Sequence, residues 1–196
     1  MIIEKIKRRK LLTFLLISML VSCLCGIFFI SLLSDANKDL VKTSINSYFT
    51  GISNNEINYL KGLYTSLSSN LLSNFFLWIM GISVIGVAVA VVFVMIKSFL
   101  VAFSFVSIIY TYGFKGILVG LIYIIPEFLE LFIMFVVAYY AISFSIILFK
   151  YLFRKKDYNK RLIVTRYLKL LILSIVALIV VSILSVFVIP FLLRIF

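Results

Sequence analysis

The chain has 196 residues, of which 64% are hydrophobic and 13% charged, and its formal net charge is +12. Its mean hydropathy of +1.24 argues against a soluble enzyme and predicts a single polytopic membrane domain spanning residues 1–196. The apolar runs are continuous and close to the ~20 residues that a helix needs to cross a bilayer, so helices are expected.

The predicted fold class is all-α: a polytopic integral membrane protein with five transmembrane helices. One of these helices is broken or re-entrant, the N-terminus is inside and the C-terminus is outside. In chain order, the predicted segments are cytoplasmic residues 1–10, a first span Leu11–Leu33, extracytoplasmic residues 34–74, a second span Phe75–Ile96, a broken third span Ser98–Ile125, a fourth span Phe128–Phe149, a basic cytoplasmic loop 150–170 and a fifth span Leu171–Leu193.

The orientation follows from the basic residues. Of the 19 Lys and Arg residues, 14 fall on the predicted cytoplasmic side: five before the first span, Lys97 after the second, and eight between Lys150 and Lys169. This distribution is the positive-inside pattern of membrane proteins, so a nucleic-acid partner is not expected. The same clusters could also bind anionic lipid head groups at the cytoplasmic face.

The first span contains the two cysteines, Cys23 and Cys25. Residues 20–23 (Leu-Val-Ser-Cys) have the form of a lipoprotein cleavage site, but the apolar run continues to Leu33 and favours an intact span. Two residues apart on a helix, the cysteines point to different faces and are expected to pack as small apolar side chains.

Two short amphipathic helices are expected in the extracytoplasmic segment. Apolar residues recur at helical spacing in each, namely Leu40, Val41, Ile45, Tyr48, Phe49 and Ile52 in the first and Ile57, Leu60, Tyr64, Leu67 and Leu71 in the second. These stripes either pack within the protein or on the lipid interface, or they dock an extracytoplasmic partner.

The second and third spans carry the glycines. Gly81 and Gly86 favour close helix approach in the second. The third is interrupted between Gly113 and Gly116, and discontinuous helices at membrane depth occur where they are buried or line a cavity.

Pro126 is followed by two acids, Glu127 and Glu130. Acids within membrane segments suggest a proton or ion path. The alternative, favoured here, is that Pro126 opens a helix near the outer interface and the acids complement the positive end of its dipole.

The sequence has no histidine, which removes most acid–base templates at neutral pH. It also has no phosphate-binding loop, no metal-ligand spacing and no paired nucleophile. We therefore expect no enzyme activity, no cofactor, no metal and no small-molecule substrate.

Several blocks resemble the stage II sporulation protein M family. Residues 78–86 look like the start of that family's second span, and residues 97–104 are similar to its Lys-Gly-Phe-x-x-Gly-Phe pattern, with Ser98 and Ala102 in place of glycines. Residues 113–116, 125–126 and 141–145 resemble the succeeding blocks in order. Many family members have Pro-His-Gly where this chain has Pro126-Glu127-Phe128.

This resemblance implies a non-enzymatic protein of the bacterial plasma membrane, at the septal or forespore-engulfing membrane. It would recruit or anchor peptidoglycan hydrolases during engulfment, with stage II sporulation proteins D and P as partners. A transporter or permease subunit, with a path lined by residues 98–130, is the alternative. An immunity or stress protein is a third and weaker one.

Overall fold

The computed structural model describes residues 2–54, 58–83, 85–154 and 160–193, and these are almost entirely helical. Along the chain lie α1 (Ile2–Leu32), α2 (Asp35–Ser53), α3 (Tyr59–Met80), α4 (Gly86–Tyr112), α5 (Phe114–Arg154) and α6 (Lys160–Ile183). A π-helical turn (Leu184–Val188) then joins α6 to the short α7 (Ile189–Leu193).

Four of the described helical stretches are long and apolar enough to cross a membrane. They are Arg9–Leu32, Gly86–Tyr112, Phe114–Tyr151 and Ile163–Leu192. The chain is thus an all-α protein with several candidate transmembrane helices, as predicted. The predicted count of five crossings and their orientation remain predictions.

Three predicted segments differ from the structure. The segment Phe75–Ile96 is not one helix, because the chain leaves α3 after Met80 and enters α4 at Gly86. The predicted break in Ser98–Ile125 is the end of α4 and the start of α5, and α5 runs unbroken through the predicted start of the fourth span.

The turn between α4 and α5 consists of Gly113 alone, which has a φ of +61°. Few residues other than glycine adopt this conformation, so α4 and α5 can form a tight antiparallel hairpin. Gly116 lets the helices approach closely, since a Cβ there would lie 2.7 Å from the carbonyl oxygen of Ile108.

Helix α1 lies parallel to α4. The thiol of Cys23 donates to the carbonyl of Ser98 at 3.6 Å, Gly26 faces Ala102, and the ring of Phe29 packs edge-on against Phe103 at 5.7 Å. A buried core of seven residues from α1, α3, α4 and α5 lies towards the start of α4: Leu15, Leu77, Ala90, Val94, Val137, Ala138 and Ile142.

Helix α3 runs antiparallel to both α4 and α6. Tyr59 stacks on Phe187 of the π-helical turn at one end, and Trp78 stacks on Tyr167 of α6 at the other. The helix therefore lies along nearly the whole length of the α6 span.

The polar face of α3 points into the bundle and its apolar face points outward. Asn74 is 3% exposed, whereas Leu60 is 79% exposed and Tyr64 is 75% exposed. The second predicted amphipathic helix is thus longer than expected, and its stripe is exposed at Leu60 and Tyr64 but partly buried at Leu67 and Leu71. Its buried asparagine faces the bundle, as polar side chains do at the interfaces of membrane helices. Ile57, the first residue of that stripe, lies outside the described residues.

Helix α2 has the opposite orientation, with its apolar face turned towards the protein. Its residues at helical spacing face the protein, with Val41, Ile45 and Phe49 partly buried and Ile52 buried. Phe49 packs edge-on against Tyr112 of α4 at 5.4 Å. Four of the six residues in the predicted stripe of the first amphipathic helix are therefore used for packing within the chain, whereas Leu40 and Tyr48 are 65% and 50% exposed.

Candidate functional site: an ion cluster inside the helix bundle

Lys97 lies inside α4 and contacts two carboxylates of α5. Its Nζ is 3.0 Å from Glu127 Oε2 and 2.9 Å from Glu130 Oε2. The side chains of Lys97 and Glu127 are 22% and 26% exposed, and that of Glu130 is 6% exposed. The sequence predicts Lys97 at the cytoplasmic end of a span. In the structure, it lies eleven residues into the candidate span Gly86–Tyr112.

The register of the α4–α5 hairpin brings these groups together. Lys97 lies 16 residues before Gly113, and Glu127 and Glu130 lie 14 and 17 residues after it. Because the helices are antiparallel, residues equally distant from the turn are at the same height. The two acids are three residues apart and so share one face of α5.

The capping interpretation of Pro126 and the two acids is wrong. Helix α5 begins at Phe114, and Pro126 lies in its interior. Since proline has no N–H, the carbonyl of Ile122 loses its helical partner there. The acids consequently lie in the middle of a helix, where they do not face the free N–H groups of a helix start.

Asn70 of α3 extends the cluster to a third helix. Its Nδ2 donates to Glu130 Oε1 at 2.6 Å, and more weakly to Ser182 Oγ of α6 at 3.4 Å. Glu130 therefore receives hydrogen bonds from Lys97 on one oxygen and from Asn70 on the other, as a buried carboxylate requires.

A cavity of about 220 Å³ adjoins the cluster. Lys97, Glu130 and Asn70 line it together with Asn74, which is buried and whose Nδ2 donates to Ser174 Oγ of α6 at 2.9 Å. The Oδ1 of Asn74 has no hydrogen-bond partner in the described structure. An unpaired buried carbonyl is costly, so this oxygen is available to a further donor.

The cluster contains one basic and two acidic groups. With Lys97 charged, it is neutral only when one carboxyl group carries a proton. Charge inside a membrane segment is expensive and by default marks a candidate functional site. No group of three or more potential metal ligands was found among the described His, Cys, Asp and Glu residues.

A second cluster, of aromatic residues, lies near the turn between α3 and α4. Tyr167 of α6 stacks between Trp78 of α3, at 5.1 Å, and Phe144 of α5, at 4.2 Å. The Tyr167 hydroxyl donates to the Trp78 carbonyl at 2.7 Å, and Trp78 Nε1 donates to the Tyr167 carbonyl at 3.3 Å.

Glycines and serines at this turn allow it to lie close to α5 and α6. A Cβ on Gly81 would clash with Tyr167 Oη and Ala141, and one on Gly86 would clash with the backbone of Met80. The hydroxyl of Ser145 donates to the Ser83 carbonyl at 2.7 Å. Residues 78–86 and 141–145, which the sequence singled out separately, are therefore in contact.

The sequence did not predict the roles of Asn70, Asn74 and Tyr167. A signal for the asparagines is present: they lie four residues apart in a helix whose remaining face is apolar. In a membrane protein, that pattern indicates a polar face turned inward.

Comparison with known proteins gives one match. Residues 14–190 match the family described as Stage II sporulation protein M. No curated protein and no solved structure matches the chain. The matched region contains both clusters and all four candidate spans apart from their outermost residues. The chain belongs to the stage II sporulation protein M family.

Proposed function

We propose that this protein is a non-enzymatic membrane scaffold that recruits or anchors peptidoglycan hydrolases at the septal membrane during engulfment. The observation that carries the proposal is the family match over residues 14–190, which makes it a membrane protein of a sporulation family. The family resemblance implies stage II sporulation proteins D and P as partners.

The outward face of α2 is the proposed docking surface. The apolar stripe of this helix packs against the protein's own bundle, so its opposite face remains free. Exposed side chains on that face include Asp39, Leu40, Thr43 and Ser47. Because these side chains are exposed, this face of α2 is accessible to a protein partner.

We further propose five crossings, with α3 as the fifth and the N-terminus in the cytoplasm. Helix α3 lies along the α6 span and turns its polar groups inward, which supports this count. A cysteine replacing Leu72, in a chain with Cys23 and Cys25 changed to alanine, should resist a membrane-impermeant maleimide. A cysteine replacing Leu60, nearer the start of α3, should react; equal labelling of both positions would exclude the crossing.

The docking proposal is tested with two matched threonines. Thr43 of α2 and Thr165 of α6 are both exposed, and each hydroxyl donates to the carbonyl four residues earlier, at 2.8 and 2.7 Å. Thr43→Arg should abolish co-purification with stage II sporulation proteins D and P, whereas Thr165→Arg, at the opposite end of the bundle, should retain it. If Thr43→Arg still co-purifies the partners, α2 is not the docking surface.

The ion cluster favours a second candidate function, a proton-coupled transporter or permease subunit. Lys97, Glu127 and Glu130 lie within candidate spans, and Lys97 and Glu130 line a cavity together with Asn70 and Asn74. Glu127→Gln with Glu130→Gln should then abolish proton or solute flux into liposomes. Absence of flux with the unmodified protein would remove this candidate.

A further inference from the structure

A groove crosses one end of the bundle on the lipid-facing side of α5. Its volume is about 970 Å³ and it is bounded by α1, α5 and α6. Most of its lining is apolar or aromatic, including Leu11, Ile147 and Leu173. Three cations also line it, Lys150 of α5 and Arg166 and Lys169 of α6.

Lys150 lies towards one end of the groove and Leu173 towards the other, with Arg166 and Lys169 between them. The stacked pair Phe144 and Tyr167 fixes the register between the antiparallel helices. Lys150 lies six residues from Phe144 in the direction of the α5–α6 connection, whereas Leu173 lies six residues from Tyr167 in the opposite direction. Arg166 and Lys169 flank Tyr167, and their long side chains can place the charge towards the basic end.

No described acidic residue forms an ion pair with these three cations. Among the described residues, the ion pairs involve Lys38 and Lys97, and no described acidic residue lines the groove. An apolar groove lined by three cations that pair with no described acid is complementary to a molecule with an anionic head and an apolar tail.

We propose that this groove binds one anionic phospholipid. The phosphate group lies at Lys150, Arg166 and Lys169, and an acyl chain extends along α5 towards Leu173. This site is independent of the proposed scaffold function and would exist equally in a transporter.

The proposal is tested by titrating the delipidated, detergent-solubilised protein with phosphatidylglycerol and with phosphatidylcholine under native mass spectrometry. We expect one tightly bound phosphatidylglycerol and much weaker phosphatidylcholine. Each basic residue near an anionic lipid contributes about a fivefold change in affinity, so Lys150→Gln, Arg166→Gln and Lys169→Gln together should weaken phosphatidylglycerol binding about 100-fold.

A matched variant separates this site from the general charge of that end of the bundle. Arg9, Lys10 and Arg161 are exposed cations that do not line the groove. Their combined change to glutamine alters the net charge equally and should leave the bound phosphatidylglycerol in place. Equal loss in both triple variants, or equal affinity of the unmodified protein for the two lipids, would overturn the proposal.

Two further measurements test the contribution of the acyl chain. Ile147→Trp retains all three cations but fills the groove, and it should displace the lipid. Glycerol phosphate, the head group without chains, should not compete at the same concentration. If Ile147→Trp binds lipid as well as the unmodified protein does, or if glycerol phosphate competes fully, the site recognises only the anionic group. Either result would contradict the proposal that the groove binds an acyl chain.

Discussion

Lys97 forms ion pairs with two carboxylates inside the bundle, and its removal leaves both without a counter-charge. Breaking a buried ion pair by removing one partner costs about 3–5 kcal/mol. We therefore expect Lys97→Met to lower the free energy of unfolding by about that amount, measured by thermal or denaturant unfolding in detergent micelles.

Two controls identify charge as the cause. Lys115→Met changes an exposed lysine and should have little effect. Adding Glu127→Gln and Glu130→Gln to Lys97→Met should recover most of the lost stability, because no uncompensated charge then remains. A triple variant no more stable than Lys97→Met would show that packing, rather than charge, explains the loss.

Gly113 is required for its backbone conformation rather than for lack of space. A Cβ there would meet nothing within 4 Å, but φ is +61°, and strained residues of this kind cost about 1–3 kcal/mol. Gly113→Ala should lower the free energy of unfolding accordingly in the same assay.

Gly51 provides the matched control, since a Cβ there also meets nothing within 4 Å and the residue is helical. Gly51→Ala should be neutral or slightly stabilising. Equal destabilisation by both changes would contradict the conformational explanation for Gly113.

The sequence identified the unusual residues but not the contacts that they make. Glu127 and Glu130 stand out because acids are rare within apolar segments, and the glycines because they interrupt apolar runs. That Lys97 meets the acids depends on the register of the α4–α5 hairpin, and hence on the single-residue turn at Gly113. The interruption between Gly113 and Gly116 is compatible with a broken helix and with a re-entrant segment, and the apolar pattern does not choose between them.

Among the elements, α3 and α6 are joined by Trp78 and Tyr167. Tyr167→Phe keeps the stacking but removes the hydroxyl that donates to the Trp78 carbonyl, a loss of about 1 kcal/mol. Tyr167→Ala also removes the ring, and should cost about 3–5 kcal/mol. Both are measurable as shifts of the unfolding midpoint.

Tyr140→Phe is the control, because this tyrosine is 49% exposed and lies on α5 away from α3. It should leave the midpoint unchanged. If Tyr167→Phe has no larger effect than Tyr140→Phe, the α3–α6 contact depends on packing alone.

The helix bounds were the least predictable part of the fold. The apolar run Phe75–Ile96 suggested one span, yet it contains a turn whose residues include the exposed Ile82 and Ile85, so hydropathy alone did not reveal it. Gly81 and Gly86 flank that turn, but glycines are also common within membrane helices. For α3, the sequence predicted the stripe of apolar residues. It did not predict whether that stripe contacts lipid or protein.

For the whole molecule, hydropathy and the distribution of basic residues predicted the class correctly, an all-α membrane protein. The predicted orientation, with the N-terminus in the cytoplasm, can be tested directly by cysteine labelling. With Cys23 and Cys25 replaced, a cysteine at Lys42 of α2 should react with an impermeant maleimide in intact cells. A cysteine at Arg161 of α6 should react only after permeabilisation.

This experiment requires both positions to be reactive once the membrane is opened, which serves as its internal control. The reverse labelling pattern would mean that the protein has the opposite orientation in the membrane. It would also place the basic groove outside and the proposed docking face of α2 in the cytoplasm.

The hairpin also has a consequence for biosynthesis. The ribosome delivers Lys97 to the insertion channel 30 residues before Glu127, so α4 emerges with a charge whose partners have not yet been made. A lone lysine at the centre of a helix disfavours release into lipid by about 2.5–3.5 kcal/mol. We therefore expect α4 to wait at the channel until α5 is translated, and the two helices to enter the bilayer as a pair.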